Sequence, residues 1–125
     1  MNINRLLKIA VNEAKKSTYR YRVGSVIFNK KSVLSKGHNY PNRSASNLHP
    51  KFKQWPNSIH AEADAILKAK KKLKFSTILV ARINKKDQLV LSKPCKNCME
   101  YIIFTGIKKI IYTTNSFPYL ETIKL

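Results

Sequence analysis

Residues 94–113 read PCKNCMEYIIFTGIKKIIYT. Proline suits the first turn of a helix, where its missing N–H would have no partner anyway, so Pro94 is expected to open one. Cys98, Met99 and Ile102 carry that helix forward, and Gly106 supplies a C-terminal cap. Lys108 to Thr113 then reads as a strand. Working back, Phe75 to Ile83 is rich in Ile, Leu and Val and reads as a buried strand. Lys85-Lys86-Asp87 turns the chain into a further short run, Gln88 to Leu91.

Upstream, Ile3, Leu6, Leu7, Ala10, Val11 and Ala14 fall on one stripe at helical spacing. Asn4, Lys8, Asn12, Lys15 and Lys16 occupy the opposite face, so an amphipathic helix covers a core. Two β-rich runs follow, Arg22 to Phe28 and Ser32 to His38, joined through Asn29-Lys30-Lys31 as in a hairpin. Gly24 inside the first run predicts a bulge or a close backbone approach. A long loop, Tyr40 to Ile59, contains Pro41, Pro50 and Pro56, and loops of this length in small domains are usually functional or mobile. A second helix is expected from about His60 to Lys72. Its narrow face of Ala63, Ile66, Leu67 and Ala69 can pack tightly on a sheet, and the lysines of its last turn favour the helix dipole. The resulting order, α-β-β-α-β-α-β, predicts a single α/β domain spanning 1–125, with helices layered on a central mixed sheet.

With 125 residues there is room for one core, and a hydrophobic fraction of 43% is ordinary for a globular chain. No N-terminal apolar stretch reads as a signal peptide, and runs such as Ile102-Ile103-Phe104 are too short to span a bilayer. The expectation is a cytoplasmic protein with no membrane partner. The charge is unusual, with 25 Lys and Arg against 6 Asp and Glu for a net of +19. Such a field attracts polyanions, including single-stranded nucleic acid, but a mononucleotide is an anion too. Lys far outnumbers Arg, a pattern that AT-rich coding also produces, whereas base readout favours Arg.

The two cysteines, Cys95 and Cys98, lie one helical turn apart, so both sulfurs can face one point. In an intracellular chain such a pair suggests metal or redox chemistry more than a disulfide. His60 offers a third ligand from another helix. Two sulfurs and an imidazole suit zinc, and with no third cysteine a tetrahedral ion keeps one position for water. Both ligand sets lie at expected helix N-termini, where the dipole favours thiolate and disfavours imidazolium. Zinc lowers the pKa of a bound water from about 15.7 towards about 7. Glu62, two residues past His60, can reach that water without binding the metal and move its protons.

His-x-Glu followed by Pro-Cys-x-x-Cys is the signature of zinc nucleobase deaminases, and the chain carries it as His60-Ala61-Glu62 and Pro94-Cys95-Lys96-Asn97-Cys98. It therefore resembles the cytidine deaminase-like superfamily, above all its deoxycytidylate and tRNA-adenosine type branch. Val23-Gly24-Ser25-Val26-Ile27 looks like the family's first core strand, and Gly37-His38-Asn39 like the end of its second. Residues 106–112 look like the exit of its third helix into the next strand. The resemblance runs over about residues 1 to 113 and leaves the tail after Asn115 unplaced. It implies an α/β/α layered fold, Zn2+ on His60, Cys95 and Cys98, and Glu62 as the catalytic proton shuttle. It also implies substrate contacts at Asn39, on the sugar, and at Ala61 and Pro94 beside the metal. Relatives often associate, so a homo-oligomer is a further implication.

Leu91-Ser92-Lys93 and the loop from 40 to 59 depart from the family's pattern near the expected base pocket, which leaves the substrate open. Three readings follow. The first is deamination of cytosine on a free nucleotide or nucleoside such as dCMP. The second is deamination of cytosine or adenine within single-stranded DNA or RNA. The third is a zinc-containing nucleic-acid-binding module without turnover, for which Glu62 would have no use. His38 and His49 lack ligand spacing and read as loop residues, His38 near the pocket. Tyr40, Phe52 and Trp55 offer rings either for a base or for a small hydrophobic cluster under the loop.

Overall fold

The computed structural model describes residues 2–41, 58–69 and 72–125. In chain order these form α1 (Ile3–Lys15), β1 (Arg22–Phe28), β2 (Val33–His38), β3 (Tyr40–Pro41), β4 (Ser58–Ile59), α2 (Ala61–Lys68), β5 (Thr77–Ile83), β6 (Leu89–Val90), α3 (Lys96–Phe104), β7 (Lys109–Thr113) and β8 (Leu120–Lys124). The main sheet runs β2-β1-β5-β7-β8, with β6 beside the end of β5. Only β5 and β7 are parallel; the other pairs are antiparallel, so the sheet is mixed as expected. His49, Phe52 and Trp55 lie outside the described residues, as do residues 70 and 71.

Strand alternation divides the core into two layers. Val26, Leu79 and Ala81 point to one face and pack with Leu6 and Ala10 of α1. Ile27, Ile78, Val80, Ile110 and Tyr112 point to the other, against Ala63 and Ile66 of α2 and Tyr101 and Ile102 of α3. The fold is thus α/β/α, with a sheet buried on both sides. No helix among the described residues is long and apolar enough to cross a membrane.

Two glycines set how near the helices come. Gly24 keeps the regular ladder of β1, so it marks the close approach and not a bulge. A Cβ there would stand 2.0 Å from the Ala10 carbonyl oxygen and 2.5 Å from the Ala14 nitrogen of α1. On the opposite face a Cβ on Gly37 would meet the Ala65 nitrogen of α2 at 2.4 Å. Ser25 Oγ donates to the Ala61 carbonyl at 2.8 Å and Ser35 Oγ to the Ala65 carbonyl at 2.6 Å. The first turn of α2 is therefore bolted to β1 and β2 by small residues and two hydroxyls.

Several boundaries differ from the sequence expectation. Helix α2 closes at Lys68, with Ala69 extended (ψ 125°), and Lys72 lies beyond it. Continued helix would stack lysine on lysine three and four residues apart; instead Lys68 pairs with Asp64 at 2.8 Å. Pro94 does not occupy the first helical position of α3. Cys95 is the N-cap, its sulfur accepting the Cys98 N–H, so Pro94 precedes the cap. Phe75 is not part of the buried strand: it is 65% exposed at φ 66°, because its N–H is turned to the Gly106 carbonyl at 2.8 Å. The unplaced tail forms β8, an edge strand antiparallel to β7, where Tyr112 OH donates to Glu121 at 2.6 Å. Its weak hydrophobic alternation reflects an edge only partly covered.

Glu13, near the end of α1, is buried among His38, Lys16 and Lys36. Burial pushes its carboxyl up, but hydrogen bonds from Lys16 and His38 and the charges of Lys16 and Lys36 outweigh this and hold it below its ordinary 4.5. The unfolded chain then binds this proton more readily than the folded one. Glu13 thus stabilises the fold above pH about 4.5 and loses that contribution as pH falls through its folded pKa. Glu13→Gln is expected to flatten the decline of urea-unfolding stability below that pH; an unchanged acid limb would contradict this role. Gly37→Ala forces two backbones apart and is expected to cost about 3 kcal/mol in urea unfolding.

Candidate active site

Two helix starts meet at one end of the sheet. His60 is the N-cap of α2, with extended backbone at φ −80°, ψ 155°. Cys95 is the N-cap of α3, and Cys98 lies one turn in. His60 Nδ1 stands 3.4 Å from Cys98 Sγ and 3.8 Å from Cys95 Sγ, and all three donor atoms lie within 4.8 Å of one another. Tetrahedral zinc, with Zn–S of about 2.3 Å and Zn–N of about 2.05 Å, separates such a nitrogen and sulfur by about 3.6 Å. The two observed distances bracket that value, and among the described residues no fourth ligand joins the group. The donor set therefore fits zinc with one position left open.

The electrostatics of the cluster agree. Its hydrogen bond with Cys98, then those with His60 and the Cys98 N–H, hold the Cys95 thiol down at about 4 against the opposing effect of burial. The same bond to Cys95, together with burial and the Glu62 carboxylate, pushes Cys98 well up. Burial lowers His60, but Cys95 and Glu62 outweigh it and raise the imidazole overall. So the anion on Cys95 forces its neighbours to hold protons. A divalent cation at this point takes the place of those protons.

Glu62 is 5% exposed, on the second residue of α2. Burial raises its carboxyl above the ordinary value, only partly offset by its own N–H and by His60. It lines a cleft of about 290 Å³ together with His60, Ala61, Cys95 and Asn39. Of the three substrate contacts expected from sequence, Asn39 and Ala61 reach this cleft. Both ends of the Asn39 amide are engaged at the start of β1: Oδ1 accepts the Val23 N–H at 2.9 Å and Nδ2 donates to the carbonyl of Tyr21, just before the strand, at 2.5 Å. Pro94 is buried and is not among the lining residues. His38 ends β2 with its ring against Tyr40, 4.1 Å between centroids, and turns Nδ1 to Glu13, away from the cleft.

Lys93 lines the cleft, within the 91–93 stretch expected near the base pocket, but sequence reading missed Tyr19, Tyr21 and Arg82, which line it too. The guanidinium of Arg82 lies 4.7 Å from the Tyr21 ring centroid. Tyr19 and Tyr21 are exposed aromatics just before β1, a weak signal that only the fold gives meaning. It also missed what fixes Cys95. Buried Ser92 donates to the Val80 carbonyl at 2.7 Å and accepts the Thr113 N–H at 2.9 Å. Its own N–H meets the Thr113 carbonyl at 3.0 Å. The segment entering α3 is thereby tied to both β5 and β7.

Comparison with known proteins identifies the family. The family model described as the cytidine and deoxycytidylate deaminase zinc-binding region matches residues 1–114. The chain belongs to that family and is a zinc-dependent deaminase of its type. No curated protein sequence matches it. Among solved structures, the apo dCMP deaminase of cyanophage S-TIM5 superposes with a TM-score of 0.66 at 23% identity, covering 89% of this chain and 81% of that one. The cytidine deaminase of Burkholderia pseudomallei gives 0.67 at 15%, over 99% and 93%. The guanine deaminase of Bacillus subtilis gives 0.56 at 21%, over 91% and 65%. These likenesses are of fold.

Removing one ligand tests the metal site directly. Cys98→Ala is expected to drop bound zinc from about one equivalent to well under a tenth, read by elemental analysis after dialysis. Retention of a full equivalent would show that Cys98 is not a ligand.

Proposed function

We propose that this enzyme converts cytosine to uracil on a free pyrimidine nucleotide such as dCMP, with release of ammonia. One observation carries the reading. The cleft beside His60, Cys95 and Glu62 has the volume of about one nucleoside, and Arg82 and Lys93 place cations on its wall. Two cations lining the same cleft as the reacting groups suit a single phosphate. A dCMP deaminase is among the proteins of like fold.

When bound, zinc supplies a water activated at neutral pH and an anchor for the oxygen that stays on the base. The rest falls to the chain's own groups. Glu62 accepts a proton from the attacking water and delivers it to N3 as a C–O bond forms at C4. It then takes the second proton of that oxygen and passes it to the amine. The C4–N bond breaks, ammonia leaves, and uracil keeps the oxygen. A carboxyl that must both take and give protons works best when its pKa is near neutrality. Burial moves Glu62 in that direction. Asn39 serves the sugar through the amide hydrogen its backbone bonds leave over. The Ala61 N–H sits at the positive start of α2, beside the base.

Two measurements test this. Glu62→Ala is expected to retain zinc while losing turnover by about three orders of magnitude or more. A variant of nearly full activity would remove Glu62 from the mechanism. The zinc-loaded protein should release ammonia from dCMP or CMP, less from cytidine, and none from single-stranded DNA or tRNA. Turnover of the polymers alone would replace the nucleotide reading, and turnover of cytidine over dCMP would remove the phosphate contact.

A further inference from the structure

The end of the sheet opposite the active site is built differently from the rest of the molecule. There β1 ends, β5 and β7 begin, and a second hollow is lined by Phe28, Lys30, Lys31, Phe75, Lys108 and Lys109. Lys74 lies over the Phe75 ring at 5.1 Å from its centroid. Lys124 pairs with Lys109 across β7 and β8, widening the basic area. None of the chain's 6 acidic residues lines this hollow. Glu13, Asp64 and Asp87 carry the ion pairs found among the described residues, toward the active-site end. Glu62 is in the active site, Glu121 bonds Tyr112, and Glu100 is on α3. Among the described residues, the lysines of this pole make no ion pair.

Phe75 adds a feature that coding bias toward lysine does not explain. It is 65% exposed and adopts φ 66°, a backbone region unfavourable for a bulky residue without glycine's freedom. Its N–H is held by the Gly106 carbonyl and the next N–H, of Ser76, by the Leu73 carbonyl at 3.0 Å. A large apolar ring is thus fixed outward on an anchored turn, at a conformational cost, in the middle of a cationic field. Strain of this kind gathers at binding sites.

We infer that this pole is a docking surface for single-stranded nucleic acid, with Phe75 as a stacking platform and Lys30, Lys31, Lys108 and Lys109 along the phosphate path. Basic grooves with exposed rings bind single strands in this way, since every base has a face to stack. Four lysines line this one hollow beside the ring, more cations than a single phosphate group needs, which fits a phosphate backbone better. Ser25 bonds Ala61 beside the zinc ligands and Phe28, three residues on in β1, lines the hollow, so the two sites are separated by about 10 Å along the strand. A strand held there is a partner of the enzyme, separate from the nucleotide that enters the cleft.

The test uses the full zinc-loaded chain and a fluorescent single-stranded 20-mer of thymidine, with anisotropy measured across a salt series. Phe75→Ala is expected to weaken binding on the order of tenfold with little change in salt slope, and Phe75→Trp to restore it. Lys30→Glu with Lys108→Glu should weaken binding further and make the slope shallower. Lys85→Glu with Lys86→Glu changes the net charge equally at the other end and should alter affinity less than about threefold. Turnover of a mononucleotide should be unaffected in Phe75→Ala, which also verifies folding. Equal losses in the two lysine pairs, or no loss in Phe75→Ala, would overturn the assignment. So would binding to phosphatidylserine vesicles without binding to the oligonucleotide.

Discussion

The active site depends on the contact between α2 and the β1–β2 hairpin. Gly37 lets the Ala65 nitrogen come to 2.4 Å from where a Cβ would stand, and Ser25 and Ser35 hold the Ala61 and Ala65 carbonyls. A helix held this closely has no freedom to slide or turn. Its N-cap, His60, and its second residue, Glu62, inherit that rigidity. A proton shuttle needs its carboxyl held to within a few tenths of an ångström of the reacting atoms. Small residues at the contact achieve this more firmly than large ones, whose rotamers could adjust.

The second half of the site is fixed by a different device. Helix α3 crosses between the two parallel strands, β5 and β7, so its start must lie at the end of β5 where the chain leaves the sheet. Ser92 ties that start to Val80 and Thr113, and the Cys95 sulfur then caps the helix. One sulfur thus has two tasks, satisfying a helix N–H and offering a lone pair to a metal. The two helix N-termini face each other across the cleft, and their dipoles favour anions there. This helps the Cys95 thiolate persist beside the Cys98 thiol and the buried Glu62 carboxyl in one small space.

Much of this was readable in the sequence because the chemistry is local. His60-Ala61-Glu62 and Pro94 to Cys98 each lie within one turn of a helix start, so spacing alone brings their groups together. The strands that bury two faces, such as Thr77–Ile83, announce themselves as apolar runs. What was hidden depends on contacts distant in sequence. Tyr21 and Arg82 meet only because β1 pairs with β5 in a register that sets Arg22 opposite Ile83. Ser92 looks like any polar loop residue until Thr113 is brought beside it. Edge strand β8 buries too little to show a periodicity. The end of α2 was missed because repulsion among successive lysines outweighed their favourable interaction with the dipole.

The distribution of charge bears on what the basicity means. If the excess of lysine were only a surface bias, acidic residues would be scattered among the cations at random. Instead the carboxylates that make ion pairs sit toward the end with the active site: Glu13 with Lys16, Asp64 with Lys68, Asp87 with Arg22. Those pairs offset part of the positive field close to the cleft. There a strong positive potential would hold any anion, product included, and slow its release. At the far pole no such pairs occur among the described residues, and the repulsion between lysines is left standing. Folding tolerates that cost most easily where the groups are exposed and screened by salt. The molecule thus separates the site that must discriminate and release from the surface where unspecific attraction does no harm.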